Sequence, residues 1–199
     1  MRIIGGTRRG RRLVEWDEEG IRPMRDFVRS ALFNIVSDFV SEAAFLDLYC
    51  GTGSVGLEAL SRGAATCTFV DHSPEACAIV RRNLDVLDFL AQAHVVTADA
   101  VSALPELGRL GRRYDLVFVG PPYYRELVPR TLAALAVEPV LADDPVVAAE
   151  IHASERVAEA YGGLTLVDLR KYGDNQLAFY RGSGPSGEAT EREDASEIQ

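Results

Sequence analysis

Phe45-Leu46-Asp47-Leu48-Tyr49-Cys50-Gly51-Thr52-Gly53-Ser54-Val55-Gly56-Leu57-Glu58 starts as an apolar run, meets a carboxylate at Asp47 and passes through glycines into a helical pattern. That order spells a strand, a tight loop and the start of a helix. Glycines tolerate left-handed backbone and let the chain come close to a ligand. A helix start adds unpaired N–H groups and the positive end of the helix dipole. Downstream, Thr68-Phe69-Val70-Asp71 is a second apolar run closed by an acid, the residue type that holds both hydroxyls of a ribose. Together the two stretches predict a nucleoside-cofactor site.

The spacing Gly51-x-Gly53-x-x-Gly56, with Asp71 further along, also fits a dinucleotide fingerprint. A nicotinamide-dependent dehydrogenase is therefore one alternative. Two acids pull away from it. Asp47 would face a pyrophosphate badly and suits a cationic amino acid. Asp99, in Ala98-Asp99-Ala100, is a third strand-end acid and can accept from an adenine amino group. An amine, a ribose diol, an adenine and a sulfonium charge are the parts of S-adenosylmethionine. The expected cofactor set is Asp47, Gly51, Gly53, Gly56, Asp71, His72, Asp99 and Ala100. No metal is expected, because Cys50, Cys67 and Cys77 lack ligand spacing. An odd cysteine count without a signal peptide suits a reduced cytoplasmic protein.

The chain of 199 residues can bury one good core. No apolar run nears the roughly 20 residues that span a bilayer, and no membrane role is expected. The net charge of −9 argues at first against a nucleic-acid partner. The distribution argues the other way. In the tail Glu188, Glu191, Glu193, Asp194 and Glu197 face only Arg192, whereas Arg2, Arg8, Arg9, Arg11 and Arg12 crowd the start without an acid. A basic arm on an acidic body still finds phosphate.

Arg22-Pro23 leads into a helical stripe of Phe27, Val28, Ala31, Leu32, Ile35, Val36 and Phe39, read as core. Arg22, Arg25 and Arg29 fall outside that stripe and are expected to face a groove. Strands are expected at 44–50, 66–71, 94–99, 114–119 and 145–151, with helices at 54–62, 73–87, 100–107 and 129–137. Residues 164–170 and 176–181 predict a terminal hairpin. Alternating strands and helices imply a parallel sheet covered on both faces. Three segments result: a basic arm and helix over 1–40, which the resemblance below marks as RNA-binding, a cofactor domain over 41–182 and a disordered acidic tail over 183–199. A monomer is expected.

The run from Leu46 through Gly51, Gly53 and Gly56 to Ser61-Arg62-Gly63-Ala64 resembles the class I methyltransferases. More narrowly it is similar to the RsmD family, which methylates a guanine N2 amine in bacterial 16S ribosomal RNA. Met1-Arg2-Ile3-Ile4-Gly5-Gly6 with Arg9-Gly10-Arg11 resembles that family's arm. Ile21-Arg22-Pro23 with Asp26 and Arg29-Ser30-Ala31-Leu32-Phe33-Asn34-Ile35 resembles its Arg-Pro-Thr segment and following helix, and Lys171-Tyr172-Gly173-Asp174 its C-terminal signature. The resemblance spans 1–181. It implies a Rossmann-like α/β fold with a seven-stranded, mostly parallel sheet, an antiparallel last strand and a small N-terminal hairpin and helix extension. It also implies a substrate-binding set of Arg2, Arg9, Arg11, Arg22, Pro23 and Arg25. The implied partner is 16S rRNA in the small ribosomal subunit or its assembly intermediate.

An exocyclic guanine amine is a weak nucleophile, because its lone pair is delocalised into the ring. Families of this type end their fourth strand in Asp or Asn, then Pro-Pro and an aromatic. The acid or amide and the first proline's carbonyl accept from the amine, and the aromatic stacks on a base turned out of its helix. Here Gly120-Pro121-Pro122-Tyr123 are the candidate catalytic residues, and Gly120 stands where the acid or amide belongs. Losing one preorganised polar group costs about 10²–10³ in rate. That opens a second reading, a non-catalytic protein that keeps the cofactor fold and RNA arm. Glu150, near the end of the fifth strand, is either a substitute acceptor or a structural acid. Met24 and Asn175 also depart, each standing where the family has threonine. A third reading changes the amine, to adenine N6 or a protein glutamine amide; the basic arm and the lack of a separate target-recognition domain disfavour it.

Overall fold

The computed structural model describes residues 1–14 and 24–182. Apolar runs bounded by acids and glycines form β1 (Ala44–Leu48), β2 (Thr66–Asp71), β3 (Ala93–Thr97), β4 (Tyr114–Val119) and β5 (Leu141–His152). These five pair in parallel in the order β3-β2-β1-β4-β5. β8 (Asn175–Gly182) joins β5 antiparallel and β7 (Leu164–Tyr172) pairs with β8 through the expected hairpin. Gly173 turns that hairpin with a φ of +65°, which glycine adopts without strain. A two-residue edge strand, β6 (Ala160–Tyr161), makes eight strands among the described residues where seven were expected.

Both sheet faces are covered, which is why the central strands read as continuous apolar runs. One face buries Phe45, Phe69, Phe118, Ala148 and Leu177 beneath α1 (Asp26–Ile35), α3 (Ser54–Ser61) and α4 (Pro74–Leu87). The other buries Leu46, Val70, Val117, Val147 and Ala178 beneath α5 (Ala100–Arg109) and α6 (Leu127–Val137). Ile3 and Leu13 of the arm belong to the first of these clusters, so arm and sheet share a core. α4 begins as its sequence dictates, with Ser73 Oγ accepting from the Ala76 N–H and Pro74 at the first position.

The helical stripe is corrected in two respects. The helix breaks at Val36, and a single turn, α2 (Ser37–Val40), follows. Phe39 is exposed there, with the Arg181 guanidinium 4.7 Å from its ring centre, and Phe27 is 70% exposed with its ring edge-on to Tyr172. Phe33, outside the stripe, is buried against Phe45. Arg29 does not face a groove. It is fully buried and donates to the Arg2 carbonyl at 2.7 Å and to Asp26 at 2.9 Å, with Glu58 3.8 Å away. The arm folds back over α1, and Arg29 satisfies its backbone.

The arm is a small hairpin closed by an Arg2–Arg12 bridge, with a 3-10 turn at Gly6–Arg8. It is fastened to α3 and α4 by side chains that meet its backbone. Glu58 accepts from the N–H groups of Ile4 (2.8 Å) and Gly5 (2.7 Å), and Ser61 Oγ from that of Arg8 (3.0 Å). Asn83 bonds both the N–H and the carbonyl of Val14.

Gly56 lets α3 lie close on β2. A Cβ there would stand 2.4 Å from Phe69 Cε1 and 2.6 Å from Cys67 Sγ, both fully buried. Helix propensity favours alanine by about 1 kcal/mol, but overpacking costs about 1–3 kcal/mol. Gly56→Ala is therefore expected to lower the melting temperature in a thermal melt, and an unchanged or higher midpoint would refute this packing role.

Candidate active site

The chain leaves β1 to one side for β2 and returns on its other side at β4. The crevice beyond the carboxyl ends at such a switch point is where open α/β sheets bind ligands. The loop from β1 to α3 sits there. Gly51 and Gly53 take φ of +52° and +77°, and Tyr49, at +62°, is held in that region by a 2.7 Å bond from its hydroxyl to Thr131. An added Cβ at Gly51 would meet nothing within 4 Å, whereas one at Gly53 would reach Val80 and Phe69. Gly51 faces open space; Gly53 and Gly56 pack.

The sheet order brings the three acids side by side, Asp47 within β1, Asp71 at the tip of β2 and Asp99 just past β3. Asp47 is buried and accepts the Gly56 N–H at 2.8 Å. Burial, reinforced by the charge of Asp71 and opposed by that hydrogen bond, pushes its carboxyl up to about 7. Asp71 accepts the N–H groups of Gly51 at 2.9 Å and Ser73 at 3.0 Å, and so ties the loop to the next helix. His72 lies exposed beside it. Asp99 caps α5 by accepting from the Ser102 N–H and hydroxyl, both at 2.9 Å, and that backbone bond holds its carboxyl below the usual range. Ala100 is buried at the first position of α5.

Just past the end of β4, Gly120 donates its N–H to the Leu48 carbonyl of β1 at 3.3 Å. A Cβ on Gly120 would stand 2.5 Å from Cε1 of Phe118, so the buried phenyl ring fills the space that a side chain would enter. Pro121 is buried, Pro122 exposed and Tyr123 half-buried. Tyr123 donates its hydroxyl to Glu150 Oε1 at 2.9 Å and accepts from Asn175 Nδ2 at 2.8 Å; Asn175 also donates to Glu150. Burial raises the Glu150 carboxyl against these two bonds. A cavity of about 180 Å³ opens here, lined by Arg25, Tyr123, Tyr124, Glu150, His152, Asp174 and Asn175. His152 packs on both tyrosines, with ring centres 4.9 Å from Tyr124 and 5.7 Å from Tyr123.

Of the expected substrate residues, Arg25 lines this cavity. Arg2 and Arg9 line a second one of about 310 Å³ with Asp26, Phe27 and Ser30. Arg11 is turned elsewhere: it donates to the Val86 carbonyl at 2.9 Å, in the last turn of α4. Arg22 and Pro23 lie outside the described residues, as does the acidic tail. Residue-by-residue reading missed Tyr124, His152 and the amide of Asn175. The only signal for Asn175 was its departure from threonine.

A parallel sheet whose strand order reverses at β1, a glycine loop after that strand and acids on the neighbouring tips make the arrangement of a class I methyltransferase. A family model described as Conserved hypothetical protein 95 matches residues 1–181. Ribosomal RNA small subunit methyltransferase D of Escherichia coli is 38% identical over 150 residues, 75% of this chain and 74% of that protein. YlbH of Bacillus subtilis, named as a candidate rRNA methyltransferase, is 31% identical over 184 residues, 92% of this chain and 100% of that one. Among solved structures, the chain resembles yhhF from Escherichia coli with a TM-score of 0.82 at 32% identity, over 92% of this chain and 98% of that one. The chain belongs to the RsmD family of methyltransferases. No helix among the described residues is long and apolar enough to cross a membrane.

Proposed function

We propose that this protein transfers a methyl group from S-adenosylmethionine to a guanine N2 amine of 16S rRNA, in the small ribosomal subunit or an assembly intermediate, as a cytoplasmic monomer. The observation that carries the reading is the common edge shared by the row of acids and by Pro121-Pro122-Tyr123. The acids suit S-adenosylmethionine. Asp47, whose burial makes ionisation costly without a cation nearby, pairs with the methionine amine. Asp71 and His72 flank the ribose, Asp99 and Ala100 the adenine, and the open face of Gly51 admits the ligand. When bound, S-adenosylmethionine supplies an electrophilic methyl on a sulfonium.

The chain's own residues do the rest. Tyr123, anchored through its hydroxyl, offers a ring for a base turned out of its helix, and the carbonyl of Gly120 or Pro121 accepts from the amine. Arg25 and Phe27, near neighbours at the start of α1, link the target cavity to the one lined by Arg2 and Arg9, and these arginines take backbone phosphates. The test is transfer of labelled methyl to small subunits from a strain lacking the cognate enzyme. Incorporation into 16S rRNA at a guanine is expected. No incorporation, with cofactor binding confirmed by calorimetry, would favour the second reading, a cofactor- and RNA-binding protein without turnover, whose motive is Gly120.

A further inference from the structure

β4 and β5 pair in parallel with Val119 opposite Ala149. The next residues along, Gly120 and Glu150, therefore lie level on neighbouring strands. Level residues in a parallel pair point side chains to the same face, with strands about 4.8 Å apart. Phe118 and Ala148, one pleat earlier, share an apolar cluster and identify that face as the one beneath α1. Glu150 thus presents its carboxylate from one strand away, on the side where a residue-120 side chain would have pointed. It is buried, and both of its hydrogen bonds, from Tyr123 and Asn175, fall on Oε1. Oε2 has no hydrogen bond among the described residues, and Glu150 lines the cavity beside Tyr124 and Arg25.

We propose that Glu150 is the acceptor for the target amine, in place of the acid or amide that Gly120 lacks, and that it thereby selects guanine. This rests on the methyltransferase reading above. Guanine presents N1–H and N2–H side by side, two donors that one carboxylate side chain takes together, whereas adenine has an acceptor at N1. Accepting from N2–H returns electron density to the nitrogen as it pyramidalises. The N2 lone pair then forms the bond to the methyl carbon, the carbon–sulfur pair stays with sulfur as a neutral thioether, and the surplus amine proton passes to Glu150 and on to water.

Two readouts test it. First, with the protein saturated in S-adenosylhomocysteine, calorimetry compares guanosine monophosphate with inosine monophosphate, which lacks only the amine. The wild type is expected to favour the guanine nucleotide at least about tenfold, a ratio that Glu150→Leu collapses towards one. No preference in the wild type, or the same preference in both, overturns the proposal. Second, Glu150→Leu, which removes the acceptor where Gln would keep an amide oxygen, is expected to lower kcat about 100-fold, the scale of losing one preorganised group. Adding Gly120→Asp, with Phe118→Leu to make room, should restore at least about tenfold over Glu150→Leu/Phe118→Leu. A merely structural Glu150 would not be rescued by a carboxylate one strand away, so no recovery also overturns it. A wild type that transfers no methyl yet loses its guanine preference on Glu150→Leu would refute turnover and leave Glu150 as the amine acceptor.

Discussion

Asp47→Asn is expected to weaken S-adenosylhomocysteine binding by about 10²–10³-fold. The side chain is nearly isosteric and can still accept the Gly56 N–H from its carbonyl oxygen, so loop geometry is preserved and the charge alone is removed. Leaving a buried cation without its partner costs about 3–5 kcal/mol, and each 1.4 kcal/mol or so is tenfold in affinity. The pH dependence follows from the same carboxyl. Burial first, and the Asp71 charge second, raise it from the ordinary 3.8 to about 7 in the ligand-free protein. Below that value a cationic ligand must displace a proton, so affinity rises with pH up to about 7 and then levels. Stability runs the other way. Because the folded value lies above the unfolded one, the stability that this carboxyl contributes to the ligand-free protein is lost as pH climbs from about 4 to 7. Asp47→Asn should flatten the affinity slope and remove Asp47's share of the stability slope, leaving that of the raised Glu150 carboxyl. Calorimetric titration at pH 6 and 8 measures the first, and thermal melts of wild type and variant from pH 4 to 8 the second. Equal affinity of wild type and variant would refute the pairing of Asp47 with the methionine amine.

The glycine loop and the row of acids were legible because their placement is local. A strand, a glycine loop and a helix start are one continuous stretch, and the acids recur at the ends of successive apolar runs, so parallel pairing alone sets them in a row. The target half is not local. Glu150 meets Tyr123 and Asn175 only because β5 lies between β4 and β8, an order that no periodicity states. Asn175 read as a departure from threonine, yet its amide fixes Tyr123 and Glu150 together. Phe118 falls inside the expected strand 114–119, but its filling of the space over Gly120 depends on a ring orientation that composition does not carry. The misreading of Arg29 has a similar origin. A cation off an apolar stripe belongs at the surface unless another segment covers it, and here the arm does. Phe27 and Phe39 were misplaced because the stripe ignored the break at Val36 and the neighbours that each ring finds outside the core, Tyr172 and Arg181.

Glu58→Ala should release the arm and destabilise the protein by about 3–5 kcal/mol, the cost of breaking a buried charged pair. For a chain of this size that corresponds to roughly 6–20 °C in melting temperature. Glu58 is fully buried and is the point where four groups converge: the N–H groups of Ile4 and Gly5, Arg62 Nε at 2.7 Å and the Arg29 guanidinium at 3.8 Å. Alanine strands two arm amides and leaves Arg29 with Asp26, half exposed, as its remaining acid. Arg29 has little reserve, since its Nε and Nη1 find no hydrogen-bond partner among the described residues. The arm carries Arg2 and Arg9, so RNA affinity should fall with stability while S-adenosylhomocysteine binding, whose proposed residues include none of these groups, stays near wild type. Hydrogen exchange over residues 1–14 reads the release directly, and a loss below about 1 kcal/mol with unchanged protection would refute it. Arg29→Met/Glu58→Met separates charge from packing. Replacing a buried pair by apolar groups of similar volume is often neutral, so the double variant should recover most of the stability lost in Glu58→Ala. If it does not, the two arm amides, rather than the uncompensated guanidinium, set the cost.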